Sequence, residues 1–274
     1  MRLLGIPVDM WRLENERSIF NMVMKWAYRS PFTHVICTED GSAGREWMNK
    51  YLADDVKRST YLNGVKANNG SSDRMKKAVY PVKVVFLGRI ELLKGADFFV
   101  ESLLLLSAEQ RKLFSPVVVG GGELLPQLQE RVATAGLGDW IRFTGSVTSG
   151  EVGTILNEAD LYVSLNIQGH VSNASLEAMS FGVPFLIREL PRDEERSGGI
   201  AHLLDKGGYL SVDSDISPDD FADVLVELCA DHCRLSEMRQ SVCLAKERNL
   251  IDWNVRIAKE VSLLKDLARG AEKR

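Results

Sequence analysis

The stretch "VKVVFLGRIELLKGADFFVESLLLLS" (82–107) decides the fold. Residues 82–88 are mostly apolar and β-branched and end at a glycine, which is typical of a buried strand. Residues 96–107 form an apolar segment long enough for a helix directly after that strand. A short apolar strand followed by a helix is the unit from which parallel sheets covered on both faces are built.

The same unit recurs along the chain. Further strands are predicted at 116–120, 140–145, 160–165, 183–187 and 208–212, and further helices at 123–136, 149–159 (with Ser149 as its N-cap), 173–181 and 198–207. Strands that alternate with helices predict an α/β fold with a doubly wound parallel sheet. Ligands of such sheets bind outside the carboxyl ends of the strands, so we expect function in the loops after 87, 120, 145, 165 and 187.

The two ends of the chain have a different character. Helices are predicted at 217–230, 233–247 and 252–268, the first with Ser217 as N-cap and Pro218 at the first helical position. Near the N-terminus we predict a strand at 32–40, a helix at 43–55, and a strand and turn at 57–65. The polar segment 66–81, with its "RMKK" cluster (74–77), is typical of a solvated linker. We therefore predict a remnant of a second domain (1–65), a linker (66–81), a Rossmann-like domain (82–251), and a C-terminal helix and tail (252–274).

Composition excludes several classes of protein. The chain has 274 residues, of which 26% are charged, and a net charge of −4, which provides no field that attracts nucleic acid. Its apolar runs are shorter than the roughly 20 residues of a membrane span, so no transmembrane segment is expected. Few cysteines and no signal-like start indicate the cytoplasm, with the protein free or peripheral to a membrane. A metal site at Cys229, His232, Cys233 and Cys243 is the alternative to ordinary helix positions, and their spacing does not favour it.

The loop after residue 87, "GRIELLKG", carries two cations. Gly88 permits a sharp turn, and Arg89 and Lys94 lie at the carboxyl end of the predicted strand beside a helix start. A guanidinium and an ammonium both suit phosphate. The alternative is that both charges are simply solvated.

The loop after residue 120, "GGGE", permits the close approach of a ligand or of another backbone. A dinucleotide fingerprint needs a third glycine where Leu125 stands, and an acidic residue about 20 positions later. The next predicted strand, 140–145, ends without a carboxylate. The loop therefore argues against a nicotinamide site.

The stretch "VSNASLEAMSFGVPFLI" (171–187) contains one charged residue, Glu177. Ala174 cannot form a capping box with it, so no local cap explains this carboxylate. The helix N-terminus at Ser172–Ala174 follows a strand end and is suited to an anion. Glu177 lies about one turn further in, where a carboxylate accepts hydrogen bonds from hydroxyls. The pattern predicts a phosphate at the helix tip and a diol beyond it, as in the diphosphate and ribose of a nucleotide.

Four motifs, "GRIELLKG", "VVVGGGELLPQL", "IRFTGSV" and "SNASLEAMSFGVPFL", occur in this order. Together they resemble the nucleotide-binding half of retaining glycosyltransferases of family 4, which have the GT-B fold, over roughly 82–268. Residues 30–65 resemble the end of that family's N-terminal domain. The resemblance implies transfer of a sugar, with retention, from a UDP- or GDP-sugar to an unidentified acceptor.

The resemblance also implies roles for individual residues and no requirement for a metal or cofactor. Arg89 and Lys94 would bind the donor diphosphate and stabilise the leaving group. Glu177 would bind the ribose hydroxyls. The other implied donor-binding residues are Gly88, Gly121, Gly122, Val147 (near the base), Ser172, Asn173 and Ala174. An Asp-x-Asp metal site at 213–215 is the alternative to a polar loop that leads into a helix cap, and the cap is favoured.

Two departures from the family pattern keep a second function open. The first glutamate of the family's Glu-x7-Glu signature corresponds to Gly169, with Gln168 and His170 beside it. By the resemblance, most of the family's N-terminal (acceptor) domain is also missing. We therefore expect a short natural chain, a fragment, or one part of an enzyme that a partner chain completes. The alternative function is a non-catalytic module that binds nucleotide sugars or a partner.

Overall fold

The computed structural model describes residues 2–3, 22, 26, 32–39, 44–66, 80–167, 171–189 and 199–271. The described residues of the N-terminal part form three parallel strands, β1 (Arg2–Leu3), β2 (His34–Glu39) and β3 (Lys57–Leu62), in that order, and helix α1 (Gly44–Tyr51). The Arg58 guanidinium donates to carbonyl oxygens at the end of α1, among them Met48 O and Leu52 O at 3.2 and 3.1 Å. A cation at this position satisfies the last carbonyls of the helix and fixes it on the sheet.

A larger parallel sheet follows. Its strands are β4 (Val82–Leu87), β5 (Phe114–Val119), β6 (Arg142–Gly145), β7 (Leu161–Ser164), β8 (Phe185–Arg188) and β9 (Tyr209–Val212). Within the described residues, the six strands lie in the order β6-β5-β4-β7-β8-β9. The helices are α2 (Ala96–Leu104), α3 (Leu125–Thr134), α4 (Ser149–Glu158), α5 (Asn173–Ser180), α6 (Pro218–Ala230), α7 (His232–Asn249) and α8 (Trp253–Ala271).

The sheet separates two hydrophobic cores. Val84 and Phe86 of β4 pack on one side with α2, α3 and α6, whereas Val85 packs on the other with α4 and α5. Successive side chains of a strand point to opposite faces, so a strand that is buried on both sides must be apolar throughout. This arrangement confirms the predicted α/β fold with a doubly wound parallel sheet.

Most predicted elements are present with shifted ends, but two predictions are wrong. The N-cap of α4 is Thr148 and not Ser149, because Thr148 and Glu151 form a reciprocal capping box. Residues 198–207 do not form a continuous helix, since the described part is a short 3-10 turn at Gly199–His202. The caps predicted at Ser217 and Pro218 are confirmed.

The two sheets are joined where the chain passes between them. Val65 N donates to Ile251 O at 2.9 Å, and Trp253 N donates to Val65 O at 3.0 Å. The first turns of α8 then cover the end of β3, where Arg256 Nε donates to Leu62 O at 2.9 Å. Most of the predicted linker, 67–79 with its basic cluster, and residues 168–170 lie outside the described residues.

Candidate functional site

The strand order places a topological switch point between β4 and β7. From β4 the chain continues outward to β5 and β6 and then returns to β7 on the other side of β4. Open parallel sheets bind ligands at the carboxyl end of such a point. The loops that follow these two strands are connected, because Ile167 N donates to Leu93 O at 3.2 Å. The predicted cations after β4 and the predicted anion-binding helix after β7 are therefore brought to the same edge.

Arg89 and Lys94 differ in their surroundings. The Arg89 side chain is 75% exposed, and its Nη2 lies 3.2 Å from Oε1 of Glu91. Glu91 is partly buried, but a pair with so exposed a guanidinium contributes little to stability, so Arg89 can bind a ligand in place of Glu91 at small cost. Lys94 is half-buried at the end of a 3-10 turn, immediately before Gly95, the N-cap of α2.

Burial is the main cause that lowers the pKa of the Lys94 ammonium. Glu91 raises this pKa, and Arg89 lowers it further. A partly desolvated ammonium beside a second cation is stabilised when an anion binds. Lys94 is therefore positioned to hold a negatively charged group.

The glycines after β5 have a structural role in the described loops. A Cβ on Gly122 would lie 2.3 Å from Ile90 O, and one on Gly121 would lie 2.5 Å from Ser146 Oγ. A Cβ on Gly88, by contrast, would meet no atom within 4 Å. The close approach of backbone at Ile90 thus accounts for Gly122, whereas the Ser146 hydroxyl near Gly121 can rotate away. The role of both glycines toward a ligand stays a prediction.

Gly122→Ala is expected to lower the free energy of unfolding by about 1–3 kcal/mol, because the new methyl group forces the backbone at Ile90 to move. The urea midpoint at an unchanged denaturant dependence measures this loss. Gly138→Ala is the matched control, since a Cβ there meets no atom within 4 Å. Equal midpoints for the two variants would contradict this account of the loop.

Val147 lies in the loop between β6 and α4. It is half-buried and packs against the core that contains α4 and α5. Thr148 N donates to Glu151 Oε2 at 2.7 Å, and hydrogen bonds from Thr148 lower the pKa of the Glu151 carboxyl. This cap fixes the backbone around Val147, where the resemblance places a base.

The N-terminus of α5 begins directly after the loop from β7. Ser172 is its N-cap, and its Oγ accepts from Ser175 N at 3.0 Å. Asn173 is exposed, and its Oδ1 accepts from Asn63 Nδ2 at 2.9 Å. Ala174 is half-buried. The predicted residues of the helix tip are thus at the switch point, with the Ser172 hydroxyl engaged in capping.

Glu177 lies one turn into α5 and is half-buried. Together with the first turn of α4 and the end of α5, it lines a cavity of about 210 Å³. Burial raises the pKa of the Glu177 carboxyl above its ordinary value. A partly desolvated carboxylate that borders a cavity is suited to accept hydrogen bonds from a ligand.

Three residues that the sequence did not single out lie at this site. Tyr162 of β7 is buried, and its hydroxyl donates to Leu87 O at 3.3 Å. Burial raises the Tyr162 pKa to about 12, and hydrogen bonds with Ser175 and Ser172 partly oppose this shift. Tyr162 therefore ties the end of β4 to the first turn of α5. The others are Asn63, which bonds to Asn173, and Lys66, which lines the cavity beside Glu177.

The alternative sites receive less support. Cys229 is buried and Cys233 is exposed. No cluster of three or more His, Cys, Asp or Glu side chains that could hold a metal occurs in the part of the chain that the structure describes. The aspartates of 213–215 precede Ser217, whose Oγ accepts from Asp220 N at 3.1 Å as the cap of α6. Among the described helices, none is long and apolar enough to cross a membrane.

Two relatives show what the sequence is similar to. The chain is 26% identical over 187 residues to 2-deoxystreptamine glucosyltransferase of Streptomyces kanamyceticus, which covers 66% of this chain and 45% of the relative. It is 31% identical over 173 residues to phosphatidyl-myo-inositol mannosyltransferase of Mycobacterium leprae, which covers 60% of this chain and 44% of the relative. The chain thus spans less than half the length of either relative.

The fold is shared with solved glycosyltransferases of the GT-B class. HepE of Anabaena, solved in complex with UDP, superposes with a TM-score of 0.68 and 16% identity, over 95% of this chain and 71% of HepE. At this identity the similarity establishes the fold alone. Residues 81–231, more than half of the chain, match the model of the family described as "Glycosyl transferases group 1". On this evidence, the chain belongs to the glycosyl transferases group 1 family.

Proposed function

We propose that this protein is a retaining glycosyltransferase of family 4 that moves a sugar from a UDP- or GDP-sugar to an unidentified acceptor. The observation that carries the proposal is that two groups suited to a nucleoside diphosphate lie together at the switch point. Two cations follow β4, and a capped helix tip with a half-buried carboxylate follows β7. A nucleoside diphosphate presents both the negative charge and the diol that such a site binds.

In this proposal Lys94 and Arg89 act on the leaving group. As the bond between the sugar and the diphosphate breaks, negative charge develops on the diphosphate oxygens. Preorganised cations at that position stabilise the transition state more than the ground state. The N–H groups around Ser172, Asn173 and Ala174 would contact the same phosphates, in keeping with a helix N-terminus. These charges belong to the chain itself, so the proposal requires no metal.

The remaining donor-binding residues hold the nucleoside. Glu177 would accept hydrogen bonds from the ribose hydroxyls, and the backbone near Val147 would lie beside the base. The open space at Gly88 would admit the donor. The names of the two relatives describe glucosyl and mannosyl transfer, and HepE was solved with UDP, which supports a nucleotide-sugar donor.

Calorimetric titration of the protein with UDP and GDP tests donor binding, and release of the nucleotide from a panel of UDP- and GDP-sugars tests turnover. NMR assignment of the anomeric configuration of the product tests retention. Failure of both nucleotides to bind at millimolar concentration would overturn the proposal.

Glu177→Gln is expected to weaken uridine binding by about 10-fold, because a neutral amide replaces a charged acceptor. Burial raises the pKa of this carboxyl above 4.5. The charged acceptor is therefore lost as the pH falls through that raised pKa, and uridine affinity falls with it. Uridine is the probe because its sugar and base do not titrate in this range, unlike a phosphate.

The affinity of Glu177→Gln is expected to be independent of pH over the same range. Glu247→Gln, which alters an exposed glutamate of α7, is the control and is expected to behave like the wild type. Identical pH profiles of uridine affinity for the wild type and Glu177→Gln would contradict the proposal that Glu177 binds the ribose.

One sequence observation favours the second candidate, a non-catalytic module that binds nucleotide sugars. Gly169 stands where the family signature has its first glutamate. In the family, that side chain contacts sugar hydroxyls near the reacting carbon. Binding of UDP or GDP without turnover of any donor, across a broad acceptor panel, would select this candidate over the enzyme.

A further inference from the structure

The cavity beside Glu177 includes a residue from outside the large sheet. Among the described residues, its lining includes Lys66, Ser149, Val152, Glu177, Ser180 and Phe181. Lys66 belongs to the segment that leads from β3 toward β4, whereas the others belong to α4 and to α5 and its end. The following argument rests on the proposed function, in which Glu177 holds the ribose of the donor.

The backbone just before Lys66 is held in place. Val65 donates to Ile251 O and accepts from Trp253 N, at 2.9 and 3.0 Å. A Cβ on Gly64 would lie 2.6 Å from Trp253 Cα, so the chain lies directly on the start of α8 there. Asn63 donates to Asn173 at the tip of α5. The anchored backbone therefore holds Lys66 at the cavity. The Lys66 side chain itself is exposed.

The cavity has apolar walls and few polar groups. Val152 and Phe181 provide apolar surface suited to the face of a base. The Ser180 hydroxyl donates to Glu177 O at 2.7 Å and is engaged within α5. With Glu177 assigned to the ribose, the polar side chains left in the described lining are Lys66 and Ser149. An ammonium offers donors and no acceptor.

We propose that the nucleoside of the donor lies in this cavity and that Lys66 donates a hydrogen bond to an acceptor atom of the base. Uracil presents its two carbonyl oxygens to such a donor, and guanine presents O6 and N7. Lys66 is thus a base-contacting residue supplied by the segment between the two sheets.

Lys66→Met tests the proposal, because it removes the ammonium and keeps most of the apolar stem. Lys66→Met is expected to weaken UDP and uridine by the same factor, about 10-fold, since a hydrogen bond from a charged group is lost in each case. Titration calorimetry measures UDP and GDP, and ligand-observed NMR measures uridine.

Lys206→Met is the matched control, because Lys206 is exposed and does not line this cavity. Unchanged uridine affinity in Lys66→Met overturns the proposal, and so does a loss confined to UDP, which would assign Lys66 to the phosphates. If the wild type binds neither nucleotide, the proposed function fails together with this inference.

Discussion

Lys94→Ala is expected to slow cleavage of the donor sugar by about 100-fold and to weaken UDP binding, while uridine affinity stays unchanged. Lys94 is the half-buried cation of the loop after β4. Burial lowers its pKa and is a larger cause than either neighbouring charge. A preorganised charge in a partly desolvated place interacts more strongly with developing negative charge than one in water. Uridine lacks the diphosphate and so reports only on the nucleoside side of the site.

Two further variants sharpen this test. Lys112→Ala removes an exposed lysine whose Nζ lies 2.7 Å from Glu109 Oε1, and no change in rate or affinity is expected. Lys94→Arg keeps the positive charge and is expected to retain part of the UDP affinity. An equal loss of uridine and UDP affinity in Lys94→Ala would indicate a distorted loop and would contradict a contact with the diphosphate.

Arg256→Met is expected to lower the free energy of unfolding by about 3–5 kcal/mol. The Arg256 side chain is 1% exposed, and its Nη2 lies 2.7 Å from Oε1 of Glu260, which is 16% exposed. The guanidinium also lies 4.5 Å from the centre of the Tyr61 ring. Methionine preserves the packing of the stem but leaves the Glu260 carboxylate without this cation. The urea midpoint measures the loss.

The comparison of a buried pair with an exposed one provides the control. Arg248 pairs with Asp205 at 58% and 46% exposure, so Arg248→Met is expected to cost less than about 1 kcal/mol. Arg256→Met/Glu260→Leu is expected to recover only part of the stability lost in the single variant, because the carboxylate is removed with its cation but the hydrogen bond to Leu62 O stays lost. A small effect of Arg256→Met alone would show that the contacts of Arg256 with Leu62 O and Tyr61 do not hold α8 on β3.

Regular structure could be predicted from local sequence where one physical cause dominated. Strands such as Val82–Leu87 are apolar on both faces, because helices cover both sides of the sheet. Ser217 and Pro218 mark a helix start by chemistry that depends on neighbouring residues only. The edge of the sheet at which we predict the site could be derived for a similar reason, since the carboxyl edge of a parallel sheet follows from the order of strands and helices.

One local signal was missed, since Thr148 and Glu151 form the Thr-x-x-Glu pattern of a capping box that makes Thr148 the N-cap. Features that depend on distant contacts, by contrast, could not be predicted. The glycines after β5 were compatible with a ligand or with another backbone, and the structure shows the nearby atoms of Ile90 and Ser146. Asn63 and Asn173 are 110 positions apart, so local patterns carry no signal for their hydrogen bond.

The hydrogen-bonded pairing of Val65 with the start of α8 has a mechanical consequence. The chain passes between the two sheets twice, and the pairing at Val65 and Asp252 places these crossings side by side. We expect any rotation of the N-terminal sheet to pivot at this two-stranded connection, with Lys66 displaced least and β1 displaced most. With the nucleoside proposed to lie at Lys66, such a rotation would leave the proposed donor contact in place.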